Sequence, residues 1–118
     1  MLKASVIVAD RLYNDFSLLN VWDNNQVYFV VRHKNNIKFK TVKELELPEQ
    51  RHQHVLKDEI IELTGTKTKE KYLRKLRRVA LWDEKNQQTI EVITNQMSWT
   101  ANTIIELYKA RWEVEIFL

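Results

Sequence analysis

At 118 residues, with 44% hydrophobic and 30% charged side chains, the chain carries enough apolar material for one core, and a net charge of +3 is too small to keep it unfolded. No run approaches the roughly 18 to 20 apolar residues of a membrane span, and the short Val6–Ala9 run is too small for a secretion signal. Zero cysteines exclude disulfides and thiolate metal sites and fit a reducing compartment, while a single glycine, Gly65, excludes phosphate-cradling loops of the Rossmann or Walker kind.

Ser5 to Ala9 is a short β-branched run that reads as a strand buried on both faces, ending on Asp10. Asp15 is a candidate cap for a helix with Phe16, Leu19 and Trp22 on one side, stopped by Asn24 and Asn25. Val27 to Arg32 reads as a second buried strand, and strand, helix, strand in succession predicts a parallel or mixed sheet covered by helices. Asn35-Asn36 then marks a turn before the alternating Ile37–Thr41 segment, and Pro48 to Gln53 crosses the surface. Val55–Leu63 and Leu76–Trp82 read as strands, the latter turning at Asp83–Asn86 into Thr89–Thr94 as a hairpin. The fold class is therefore α/β (α+β) with an antiparallel β-rich middle. Residues 1–34 form the strand-helix-strand part, 35–97 the β insertion and 98–118 a last helix, for which Ser98 or Thr100 is the candidate N-cap.

That last helix carries the strongest signal. With Tyr108 at zero and about 100° per residue, Arg111 falls near −60° and Glu115 near −20°, inside the apolar arc and away from Glu106, Lys109 and Glu113. Charges in that arc require partners, a metal or a ligand. An Arg111–Glu115 ion pair and a carboxylate offered to a metal both satisfy the pattern.

Y-K-A-R-W-E-V-E, residues 108–115, resembles the Y-x2-R-x3-E part of the signature of insertion-sequence DDE transposases of the YREK subfamily. V-A-D-R-L-Y-N-D-F resembles the segment bearing that family's second catalytic aspartate, and Y-F-V-V-R-H-K the strand after it. The resemblance implies a partial ribonuclease-H-like fold. It also implies Asp10 and Glu115 as catalytic, metal-binding carboxylates for two Mg²⁺ (or Mn²⁺) ions, and Tyr108 and Arg111 as contacts to transposon-end DNA. By the same resemblance the activity is metal-dependent cutting and joining of double-stranded DNA at transposon ends, in a cytoplasmic, nucleoid-associated bacterial protein that could pair with an intact transposase. The family's first aspartate strand and the signature lysine beyond Glu115 have no counterpart in these residues. The resemblance thus implies a C-terminal piece of the catalytic region, inactive alone and binding metal weakly, with the edge of its first strand exposed. A non-catalytic DNA-binding remnant that interferes with an intact transposase is the alternative.

Lys67, Lys69, Lys71, Arg74, Lys75, Arg77 and Arg78 crowd seven basic residues into twelve. They suit contact with DNA phosphates, or a solvated loop that keeps a sheet edge from aggregating. His52 and His54 lack a companion carboxylate–histidine set and read as solvated. Trp82 and Trp99 read as core or helix-staple residues in preference to base-stacking ones. No serine stands in a triad pattern.

Overall fold

The computed structural model describes residues 5–9, 16–33, 37–47, 54–65 and 70–117, with side-chain surroundings in the last helix described as far as Ala110. In chain order the strands are β1 Ser5–Ala9, β2 Val27–Arg32, β3 Phe39–Glu44, β4 Val55–Leu63, β5 Leu76–Asp83 and β6 Gln88–Thr94. The helices are α1, Phe16–Asn24, between β1 and β2, and α2, Ala101–Phe117, after β6. This is the mixed α/β architecture expected, consistent with a partial ribonuclease-H-like fold.

The strands make one sheet in the order β1-β2-β6-β5-β4-β3. β1 and β2 are parallel, as a strand-helix-strand unit requires, and every other pairing is antiparallel. The strands of the β-rich middle do not stand apart from the opening unit. Val30, Val31 and Arg32 pair with Thr94, Ile93 and Val92, so β6 extends the sheet directly from β2. β3 does not pair with β2 across the intervening Asn-Asn segment, whose residues lie outside those described. It forms the far edge beside β4.

Period-two alternation divides the core into two halves. On one face Phe29, Val31, Ile61, Leu63, Leu76 and Ile93 pack under α1, which contributes Phe16 and Leu19, with Trp22 at the margin. On the other, Val30, Val79, Leu81, Ile90 and Val92 pack under α2, which contributes Ala101, Ile104, Ile105 and Tyr108. α1 ends as its two asparagines predict: the Asn25 side chain donates to the Val21 carbonyl at 2.7 Å, and Gln26 takes a left-handed φ of 61°. At the other turn Asp83 accepts from the Asn86 side chain at 2.9 Å, with Gln87 at φ 52°. That bond outweighs burial and, helped by Gln88, holds the Asp83 carboxyl below its ordinary range.

One expectation is revised. Ser5–Ala9 reads as a strand buried on both faces, yet Val6 to Ala9 are only half-buried. β1 is the outer strand and has only β2 beside it among the described residues. Its β-branched composition reports helix-covered faces, as in a parallel unit, and contains no information about whether a second strand lies alongside.

Each half of the core is crossed by a buried arginine. Arg77 points to the α2 face, where Nε and Nη2 donate to the two Asp58 carboxylate oxygens at 2.7 and 2.6 Å. Its remaining Nη1 donates to the backbone carbonyls of Gln96 and Trp99. The side chains of Arg77 and Asp58 are 3% and 6% exposed, so neither charge can fall back on water. Such a pair contributes little net stability when intact but leaves an uncompensated buried charge when one member is removed. Arg77→Ala is therefore expected to cost about 3 to 5 kcal/mol in chemical denaturation. Replacing Arg77 and Asp58 together by apolar residues of similar volume should recover most of that loss; equal losses in the single and double variants would contradict this account.

Candidate functional site

The segment from Asn95 to Thr100 decides where α2 begins, and it is fixed from both faces of the sheet. Asn95 accepts from the Phe29 backbone N–H at 3.0 Å and donates to the Val27 carbonyl at 3.1 Å, seating the segment at the N-terminal end of β2. It also donates to Asp23 Oδ1 at 2.9 Å at the end of α1. Burial opposes ionisation of Asp23, but hydrogen bonds from Arg74 and Asn95, the Arg74 charge and the Tyr72 hydroxyl outweigh it and hold the carboxyl below its ordinary range. Tyr72, in turn, is pushed well above the usual phenol range by its burial and by the Asp23 charge.

Gln96 accepts from both the backbone N–H and the hydroxyl of Ser98, at 2.8 and 2.6 Å. Ser98 is thereby committed to the turn, and Thr100 is the N-cap: its Oγ1 accepts from the Thr103 N–H at 3.2 Å. Trp99, the residue before the cap, lies 5.9 Å from the Tyr28 ring and packs against the cluster containing Ile104, a staple-like role. With its start held at the N-terminal end of β2, α2 returns across the sheet in contact with β1, β2, β4 and β5. Tyr108 shares a cluster with Leu81 and Ile90, which lie beyond the Arg32–Val92 pair that closes β2.

The sequence-predicted residues fall into distinct groups. Asp10, Lys67 and Lys69 lie outside the described residues, as does His52. Arg111 and Glu115 lie within the backbone of α2, and their side chains are outside the described set. Ala9 is level with Val31 at the C-terminal end of β1. Two placements bear on the expected DNA contacts. Tyr108 is 0% exposed, on the same helix stripe as Ala101, Ile104 and Ile105, so its ring is part of the core. Arg77 and Arg78 are also turned inward and paired with acids of the sheet: Arg77 with Asp58, and Arg78 with Glu59 at 2.7 Å and with the partly exposed Glu91. A phosphate would have to displace those partners inside the sheet.

Lys71, Arg74 and Lys75 are exposed, with Arg74 held against Asp23. His54 sits 3.8 Å from Glu84 at the margin of a cavity of about 540 Å³ beside α2. The cavity is lined by Asp83 and Glu84 as well as Lys85 and Lys109, a balance that favours neither cation nor anion. Among the described residues no cluster of three or more His, Asp or Glu forms a metal site, and no helix is long and apolar enough to cross a membrane.

Asp58, Glu59 and Glu91 are the acids that sequence reading passed over. Glu59 and Glu91 stand two positions before the buried Ile61 and Ile93, and that parity is the signal for an inward-facing acid, while Asp58 faces the other side of the sheet. Arg32, also not singled out, is half-buried one step beyond the Ala9–Val31 pair, at the end of the sheet toward which α2 runs.

Comparison with known proteins supplies the family. A family model described as "Transposase DDE domain" matches residues 1–118. The probable transposase for insertion sequence element IS5377 of Geobacillus stearothermophilus is 32% identical over 112 residues, covering 95% of this chain and 29% of that protein. The present chain thus corresponds to under a third of the length of that relative. A match to the family model over its whole length, on a mixed sheet flanked by α1 and α2, shows that the chain belongs to the transposase DDE domain family.

Proposed function

We propose that this chain supplies two carboxylates, Asp10 and Glu115, to a transposase centre that cuts and joins double-stranded DNA at the ends of a mobile element. The observation that carries the reading is the course of α2: it starts at the N-terminal end of β2 and returns across the sheet in contact with β1, the strand that Asp10 follows. From Tyr108, about two further turns of that helix, roughly 10 Å, lead to Glu115. The relative's much greater length leaves room for a third carboxylate elsewhere in such a protein.

The donor chemistry fits Mg²⁺ or Mn²⁺, because both assigned ligands are hard carboxylate oxygens and the chain has no cysteine. Divalent ions, when bound, activate the attacking oxygen and stabilise the leaving one. The chain's own part is to hold one ligand on a strand end and the other on a helix fixed at its start by Arg77 and Asn95. Arg111, on the same helix, is assigned to the DNA strand near the cleaved bond. The setting is the bacterial cytoplasm, with an intact transposase as a pairing partner.

In this reading the 118 residues by themselves are expected to leave supercoiled plasmid intact in Mg²⁺. Nicking by the purified chain that disappears in Glu115→Ala would overturn that expectation.

A DNA-binding role without catalysis is favoured separately by the exposed Lys71 and Lys75. With Lys67 and Lys69, which lie outside the described residues, they are assigned to phosphate contact in this reading, while Arg77 and Arg78 serve the fold. Changing the four lysines to glutamine should flatten the slope of log affinity against log salt by up to about 3.6, or 0.9 per lost phosphate contact. An unchanged slope would remove the lysines from any DNA interface.

A further inference from the structure

The end of the sheet where β5 begins and β6 ends carries two exposed apolar side chains. β5 and β6 are antiparallel, and their pairing closes at Arg77 and Thr94. Leu73, shortly before β5, is 78% exposed, the highest value for a large hydrophobic among the described residues. Met97, shortly after β6, is 43% exposed.

A single exposed leucine is ordinary on a protein surface. Leu73 differs because the residues on both sides of it are pinned. Tyr72 is buried, with its ring edge-on to Phe29 at 6.3 Å, and its hydroxyl donates to Asp23 at 3.3 Å. Arg74 donates to the same Asp23 oxygen. Asn95 donates to the other oxygen, so the segment that carries Met97 hangs from the same carboxylate. Leu73 is thus presented to solvent from a fixed support.

Its surroundings are cationic. Lys71 and Lys75 are exposed on either side in the sequence, against one exposed acid, Glu70, and Arg74 keeps 57% of its side chain in solvent while it holds Asp23. Protein–protein interfaces are depleted in lysine, so an apolar tip between lysines fits a protein partner poorly. It fits a DNA duplex well. Lysines meet phosphates, and leucine or methionine can enter between base steps from the minor groove and kink the duplex by roughly 20 to 90°.

We propose that Leu73 is a wedge for double-stranded DNA: Lys71 and Lys75 seat the phosphate backbone, and Leu73, with Met97 at the same end of the sheet as a second apolar contact, enters between adjacent base pairs. The inference rests on the DNA-binding reading above and adds to it a distortion of the duplex carried by an apolar residue. The wedge stands at the N-terminal end of β2, where Asn95 meets Val27, whereas Asp10 follows the C-terminal end of the parallel strand β1.

The test is the linking number of a plasmid relaxed by topoisomerase in the presence of the 118-residue chain, with EDTA present, alongside binding to a short duplex followed by fluorescence anisotropy. A side chain inserted between base pairs unwinds the helix, so the plasmid should show a linking-number deficit once the protein is removed. Leu73→Ala should abolish the deficit and leave the slope of log affinity against log salt unchanged, because a leucine meets no phosphate. Leu73→Phe should retain the deficit, since phenylalanine also serves as a wedge. Leu56→Ala, at an exposed leucine of β4, should leave it as it was. Binding without a deficit, or a deficit undiminished in Leu73→Ala, would overturn the wedge and leave the DNA-binding reading standing. Absence of binding would overturn both. Self-association of the chain that disappears in Leu73→Ala, with no deficit on DNA, would overturn the wedge in favour of a protein interface.

Discussion

The Arg77 guanidinium makes two kinds of contact at once, and the placement of α2 depends on the combination. Its bidentate bond to Asp58 fixes it within the β4–β5 ladder, and its remaining nitrogen reaches the carbonyls of Gln96 and Trp99. A lysine could neutralise Asp58, but its point charge could not reproduce a planar fork facing a carboxylate on one side and two backbone oxygens on the other. The geometry converts a sheet position into a helix start. α2 then needs only its capped first turn and its apolar stripe to follow a defined path.

Arg78 repeats the arrangement on the opposite face, where its partners are Glu59 and Glu91. Consecutive residues of one strand point to opposite sides, so the Arg77–Arg78 pair places one buried cation in each half of the core. Their acids come from the strands on either side of β5, Asp58 and Glu59 from β4 and Glu91 from β6, while the loop after β6 gives Arg77 two backbone carbonyls. A sheet built largely from antiparallel neighbours thereby gains cross-strand bonds that do not depend on the backbone ladder, and a one-residue slip in register would separate each charge from its partner. We read these pairs as register devices, a role that buried ionic groups can have even when their net stabilisation is small.

Much of this was legible in the sequence where composition and period act locally. The helix over Phe16 to Asn24, the strand around Phe29, the Asp83–Asn86 turn and the final helix follow from apolar spacing, turn residues and the lack of interrupting glycine or proline. Pairing was less legible. Nothing in the β1 run indicates an edge, and nothing local to β3 indicates that it crosses to the far side of the sheet, because strand order is set by long-range packing. In the candidate site the limit was different. Seven basic residues close together read as one surface, whereas β5, covered on both faces, buries Arg77 and Arg78, and Lys71 and Lys75, which precede the strand, stay in solvent. The helical phase put Tyr108 in the apolar arc, and its ring is buried in the core. The acids that neutralise the two arginines lie 13 to 19 positions away in the chain, beyond the reach of any local pattern.

The account stands or falls on whether the end of β1 and the end of α2 share one metal site. Adding Mn²⁺ to the isotope-labelled chain and recording paramagnetic broadening of backbone amide signals tests this directly. The account predicts that signals around Ala9 and those in the last turn of α2 broaden together, and that Asp10→Asn or Glu115→Gln relieves the broadening at both. Broadening centred on His54 and Glu84, or broadening at one of the two ends that the opposite substitution leaves unchanged, would contradict it.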